Sequence, residues 1–394
     1  MPSSALSLDM AVRLALENSP GLRAASGRVE AAAGRATQAR AWSNPELELT
    51  AEDWPLRDGR RYADAKRTIG VFQVVPFPGK RSLNRQIGGA GVKLSEAELA
   101  VRRVELVREV KIGFFRVLAL EQQTGVSAQL LAIADASAVT ARKRVDAGAA
   151  AYQEQLRAEV QAEQARSVVG DLQRDLASGR QILAALIGRP DLSSAKLVGG
   201  LAELPDAHLL RGPAAELLAG HPSLRAAQTN LEQAELASRR ARLDSYPDVK
   251  VGIGVGENGE TGRSIGQVSL SMPLPILDRG KGARQEARAN VLVATAELRV
   301  VQQQLQRDWM NGIGRYRTAS EHVASYRERI LPRAIEALRL VQTGYEEGKF
   351  RFIDLVDTQR TTAEVRMTYQ DKLLELNIAQ AELEVLLPVQ TPRN

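Results

Sequence analysis

Two short stretches of the chain alternate apolar and polar residues with a period of two, and each has a partner further along. In PELELTAEDW, from residue 45, Leu47, Leu49 and Ala51 fall on one face and Glu46, Glu48, Thr50 and Glu52 on the other. In PDVKVGIGVGE, from residue 247, Val249, Val251, Ile253 and Val255 alternate with Lys250, Gly252 and Gly254. Such alternation marks an extended strand with one apolar face. After a loop, each is followed by a second strand-like segment, KRTIGVFQVVP and RSIGQVSLSMP. The pattern predicts hairpins over 45–76 and 247–273, built of strands about ten residues long, the length of a tilted bilayer-spanning strand. A hairpin half-buried against a soluble helical core explains the same alternation more plainly. The aromatic positions weigh toward a membrane. Trp42 and Trp54 bracket the first strand, Phe77 follows the second and Tyr246 precedes the third, as in the interfacial girdles of membrane barrels.

After Pro78 the period changes. No proline occurs from Lys80 to Asp146, and Leu99, Leu106, Gly113 and Leu120 recur with heptad spacing, Val110 and Val117 lying between them. A second stripe, Val104, Val107, Phe114 and Leu118, lies roughly 100° round the same helix. One stripe serves a coiled-coil pair, whereas two let a helix pack on both sides, as in a closed ring. An ordinary hairpin in a soluble bundle accounts for the first stripe and less readily for the second. The pattern predicts a long helix over 80–147 with a return helix over 152–187. The matching pair is 280–347 and 352–387, with a kink or bulge near Pro332. Shorter helices, 20–43 and 222–245, end before Pro45 and Pro247, because a residue preceding proline disfavours the α region.

The two halves echo one another. NSPGLRAA at 18–25 returns as GHPSLRAA at 220–227, and at the same offset Pro45 falls on Pro247. Pro76 and Pro78 match Pro273 and Pro275, Gly148 matches Gly348, and Leu183, Leu186 and Ile187 match Leu383, Leu386 and Leu387. These landmarks keep their order, which reads as a tandem duplication: a first repeat over 6–188, a linker over 189–208, a second repeat over 209–388 and a tail over 389–394. At 1.5 Å per residue the long helix rises ~100 Å, and the return helix (~54 Å) and opening helix (~36 Å) nearly match it end to end. Two repeats supply four strands. With one side in lipid, such a sheet has two open edges that hydrocarbon does not tolerate, so it closes with other chains in a cyclic oligomer.

Composition narrows the function. Aromatic residues make up only 4% of the chain, and Ala, Leu, Val, Arg, Gln and Glu dominate, a mixture that favours long helices. The net charge of +6 is scattered among acidic residues at helical spacing, which reads as solvated helix faces and not a nucleic-acid platform. Cysteine is absent, removing disulfides and thiolate chemistry. No apolar run reaches the ~18 residues of a spanning helix, and MPSSALSLDM shows no signal-peptide pattern. His208, His221 and His322 are far apart, and none forms a ligand pair at i+3 or i+4. His221 at a helix start reads as a cap or an exposed residue. Nothing points to an enzyme, a metal site or a cofactor.

Four sequence features carry a family resemblance: the twin NSPGLRAA/GHPSLRAA starts, QVVPFPGKR at 73–81, PLPILDRG at 273–280, and GKFRFIDLVD at 348–357. With them the chain resembles the TolC-type outer-membrane efflux proteins over its whole length, and most of all their heavy-metal branch, the partners of cobalt–zinc–cadmium or copper–silver exporters. The resemblance implies a mainly α fold with a small transmembrane β-barrel part. In it, long coiled-coil helices form an α-barrel, and four strands per chain enter a trimeric twelve-stranded β-barrel. It implies an outer-membrane exit duct with its helical part in the periplasm, passively passing substrates, heavy-metal cations foremost, from an inner-membrane pump of the RND type and a periplasmic adaptor to the exterior. It also supplies the export that no visible signal peptide provides, while the missing N-terminal cysteine leaves acylation unsupported. A soluble, elongated coiled-coil scaffold of the envelope is the rival reading.

The sharpest candidates are Asp354 and Asp357, just after the Gly348 turn. As plain structure they are a helix cap and a first-turn acid. In the resembling family, acidic residues at matching positions ring and constrict the periplasmic entrance. The first repeat has Glu154 and Arg157 there, so such a gate is asymmetric between repeats. The turns around Gly148 and Ala149, and around Gly348 and Lys349, are hairpin tips whose glycines read as left-handed caps. The resemblance makes them the adaptor-contacting ends.

Overall fold

The computed structural model describes residues 5–53, 65–201 and 218–387. In chain order the elements are β1 (Leu6–Ser7), α1 (Leu8–Asn18), α2 (Pro20–Arg40), β2 (Glu46–Glu52), β3 (Lys66–Val75), α3 (Lys80–Asp146), α4 (Tyr152–Ile187), a 3-10 turn (Pro190–Ser194), β4 (Leu197–Val198), α5 (Pro222–Arg242), β5 (Val249–Asn258), β6 (Arg263–Ser271), α6 (Lys281–Ser325), a π-helical turn (Tyr326–Ile330), α7 (Leu331–Glu346) and α8 (Phe352–Glu384). Two compact units result, one of Met1–Ala24, Ala100–His221 and Gln303–Asn394, the other of Ala25–Leu99 and Pro222–Gln302. Each draws on both sequence repeats.

The second of these units holds a four-stranded antiparallel sheet in the order β2-β3-β5-β6. The two hairpins join through β3 and β5, from Lys66 opposite Asn258 to Val75 opposite Val249. Register puts Leu47, Leu49, Ile69, Val71, Val251, Ile253, Val255, Val268 and Leu270 on one face. That face is open: Leu49 is 73% exposed, Ile253 70% and Val268 87%. Burial of a hairpin face against the chain's own helices, the plainer expectation, is not what the fold does. The opposite face is polar, with Lys66 bonded to Glu52 (2.9 Å) and Lys250 to Glu46 (2.7 Å). β2 and β6 are the edges.

Where the strands meet the helices, a buried lysine ties the hairpins together. The Asp248 carboxylate accepts both the Phe77 N–H and the Lys80 ammonium, each at 2.8 Å. Partial burial works against the charge of Asp248, but these donors hold its carboxyl below the usual range. Gly79 turns into α3 at φ +93, a conformation that costs a glycine little.

In the other unit α3 packs against α4 and α8. The buried face of α3 is Leu106, Val110, Phe114, Val117 and Leu118. It combines members of both expected stripes, while Val104, Val107 and Leu120 are half-buried. A Cβ at Gly179 of α4 would lie 3.2 Å from a Leu120 methyl, so this glycine lets the two backbones approach. Polar bridges run down α3 as they run back up α8: Lys111 to Glu384, Gln123 to Asp371, and Ser137 to Gln359. They record an antiparallel register between helices of different repeats. Burial pushes the Asp371 carboxyl up.

Some boundaries are shorter than the pattern predicts. The opening helix stops at Arg40, not 43, and the last return helix at Glu384, not 387. The disturbance expected at Pro332 is the π turn just before it: proline has no N–H to give the preceding turn, and one widened turn absorbs the defect. α1 carries no marker beyond its Ser7 cap, which accepts the Met10 N–H at 3.3 Å. No helix among the described residues is long and apolar enough to cross a membrane.

Candidate functional site

The hairpin tips use one local device twice. At the first, Gly148 adopts φ +72 and the Ala149 N–H donates to the Arg144 carbonyl at 2.8 Å. At the second, Gly348 adopts φ +76 and the Lys349 N–H donates to the Gly344 carbonyl at 2.7 Å. These are left-handed helix caps that leave the turning residue outermost. Gly148, Ala149, Gly348 and Lys349 are all exposed.

The structure brings the two tips together. Tyr345, at the end of α7, donates its hydroxyl to the Glu154 carboxylate of α4 at 2.7 Å. The Arg144 guanidinium stands 4.7 Å over the Tyr345 ring. Ala141, Ala158, Leu338, Phe352 and Leu355 pack around it. Burial first, and then the neighbouring carboxylate, push the Tyr345 hydroxyl far above its usual range, so it stays a donor at any physiological pH. Sequence reasoning missed this joint. It named Glu154 only as the counterpart of Asp354, although the repeat offset sets Tyr345 against Val145, a visible asymmetry.

Asp354 and Asp357 lie on the first turns of α8. Asp354 accepts the Arg351 N–H at 3.0 Å, the reciprocal half of a helix cap. Asp357 is 66% exposed and pairs with Arg360 at 3.0 Å. Each carboxylate therefore has an arginine beside it: Arg351 near Asp354 at 3.5 Å and Arg360 near Asp357. Exposed pairs of this kind are worth about 0–1 kcal/mol, and the arginines remain free to swing toward another partner. Between α4 and α8 runs an apolar groove of about 650 Å³, lined by Leu156, Arg157, Val160, Ile353, Val356 and Gln359 among others.

Trp42, Phe77 and Tyr246 share the helix-proximal end of the sheet. Phe77 and Tyr246 stack with centroids 4.6 Å apart, and Arg81 caps the Trp42 ring at 4.0 Å. Trp54 and His208 lie outside the described residues. His221 is not exposed: it is buried, and burial lowers its pKa. His322 is exposed. Among the described residues no cluster of three or more His, Cys, Asp or Glu is placed to hold a metal.

Replacing Tyr345 by Phe deletes the bond between tips and leaves Glu154 without its donor, a loss of about 1–2 kcal/mol. Hydrogen exchange of the amides around 141–158 and 338–355 quickens in this variant and is unchanged in the sheet. Unaltered exchange at the tips would show that the bond does not hold them.

A family model described as outer membrane efflux protein matches the chain twice, over residues 11–189 and 214–388. The cobalt-zinc-cadmium resistance protein CzcC of Cupriavidus metallidurans is 28% identical over 92% of this chain and 85% of its own length. The nickel-cobalt-cadmium resistance protein NccC of Alcaligenes xylosoxydans xylosoxydans is 23% identical over 73% of this chain and 64% of its own. In structure, the outer membrane protein VceC of Vibrio cholerae superposes with a TM-score of 0.81 at 18% identity, covering 96% of this chain and 95% of that one. That likeness speaks for the fold. With the family model spanning both halves, the chain belongs to the outer membrane efflux protein family.

Proposed function

We propose that the protein is the exit duct of a tripartite efflux system: three copies close a twelve-stranded barrel in the outer membrane over a twelve-helix periplasmic tube. The observation that carries this reading is the sheet, whose apolar face is open and whose two edges have no strand partner among the described residues. Three copies joined β6 to β2 pair every edge, and a water-filled interior receives the polar face. The rival, a soluble coiled-coil scaffold, gives no reason for that exposed face. The duct is passive. Energy enters at an inner-membrane pump, and a periplasmic adaptor meets the hairpin tips, where the apolar groove between α4 and α8 offers a seat for a helix. Detergent-solubilised protein has the mass of three chains plus bound detergent. A monomer stable in water without detergent would overturn the barrel.

The cargo in this reading is heavy-metal cations. Its support is the relatives named for cobalt, zinc, cadmium and nickel resistance. A strain deleted for the gene becomes sensitive to these metals and regains tolerance on complementation. Unchanged metal tolerance with new sensitivity to organic toxicants would move the cargo to that class.

Asp354 and Asp357, repeated three times around the entrance, form carboxylate rings that favour cations. Their position on the first turns of α8 and their easily displaced arginine partners support this role. In planar bilayers the double variant Asp354→Ala, Asp357→Ala has higher single-channel conductance or weaker block by added cations. If conductance and block both match wild type, the carboxylates only cap the helix.

A further inference from the structure

On the polar face of the sheet one large apolar side chain is almost hidden. Phe72 is 9% exposed, with exposed Glu46 directly opposite it on β2. Strand side chains ordinarily stand away from the sheet. Phe72 instead lies across β5, where its register partner is Gly252. A Cβ built on Gly252 would fall 2.2 Å and 2.4 Å from two ring carbons of Phe72, and 2.6 Å from the Ser269 hydroxyl oxygen on the far side. Contact between carbons begins at about 3.5 Å, so the ring occupies the volume a side chain would take. Gly70, two residues back on β3, is hemmed in more loosely: its Cβ would lie 3.0 Å from the ring. The Lys250 ammonium stands 5.0 Å from the ring centroid and is itself bonded to Glu46 at 2.7 Å. A glycine floor and a tethered cation thus hold the aromatic flat against the wall. Aromatic cover of a cross-strand glycine is a known way to fill a gap in a sheet.

The consequence depends on where that face points. Resting on the trimeric-duct reading above, we propose that Phe72, parked on Gly252, is a specificity-determining residue for size: it sets the clear bore at the membrane end. With the slot intact the ring adds little to the wall. With the slot filled, Ser269 blocks retreat along the sheet, and three rings stand up into the passage.

The test measures the bore of the membrane end directly, because total conductance is dominated by whichever end is narrower. Neutral polymers of graded size are added to channels in a planar bilayer from the side of the 259–262 loop, and the largest polymer that lowers the current is recorded. Gly252→Ala lowers this cut-off, and Phe72→Ala combined with Gly252→Ala restores it. Gly70→Ala, the gentler intrusion, lowers it less, is likewise restored by Phe72→Ala, and serves if Gly252→Ala does not assemble. A wild-type cut-off in Gly252→Ala, or in Gly70→Ala where that variant stands in, overturns the proposal. So does a cut-off that stays low once Phe72 is removed. Wild-type protein that forms no channel overturns the duct reading instead.

Discussion

Backbone hydrogen bonding at two strand edges is the constraint on which the molecule depends. β2 and β6 each present a row of peptide groups with no strand partner among the described residues, beside a face of open Leu, Ile and Val side chains. In hydrocarbon every such peptide group costs several kcal/mol unless it finds a donor or acceptor. Four strands cannot curl tightly enough to meet their own edges, since closed barrels begin at about eight strands. In the trimer proposed above each edge meets one on a neighbouring copy, and the side-chain chemistry agrees with that arrangement. Charges on the polar face pair among themselves, Lys250 with Glu46 and Lys66 with Glu52, as the wet interior of the proposed barrel requires.

The helical part solves a different problem, that of sliding. Long antiparallel helices with Ala-rich faces pack almost equally well at several offsets. Here the bridges Lys111–Glu384 and Gln123–Asp371 are satisfied at only one. They are partly buried, so a shift by one turn would strand charges and amides away from partners at about 1–3 kcal/mol each. Because these bridges join α3 to α8, and β3 pairs with β5, the two sequence repeats interleave and do not fold as separate bodies. Lys80 and Asp248 make the same cross-repeat connection beside the sheet.

What could be read from the sequence is what depends on near neighbours in the chain. Gly79 and Gly148 punctuate α3 because each must take a positive φ, and Pro332 announces the widened turn before it. Period-two alternation fixes which strand residues share a face, whatever covers that face. The hidden features rest on distant partners. Heptad counting split the α3 face into two stripes, yet contacts with both α4 and α8 merge them. His221 looks like a surface residue until the C-terminal segment near Val385 covers it. Tyr345 and Glu154 are 191 residues apart, and no local pattern joins them. Phe72 is legible only as a strand residue until register sets it on Gly252.

The π turn at Tyr326–Ile330 carries a consequence for the phase of its helix. A widened turn holds one residue more than an ordinary one, and each residue advances an α-helix by about 100°. Every side chain from Leu331 to Glu346 is thereby rotated by that angle from where α6 alone would have aimed it. This rotation is what presents Leu338 and Tyr345 to the cluster at the tips. Substitutions within 326–330 that drew all five residues into an unbroken spiral would turn Tyr345 away from Glu154 without altering either residue, whereas deleting one of the five would remove the widened turn and keep Tyr345 facing Glu154.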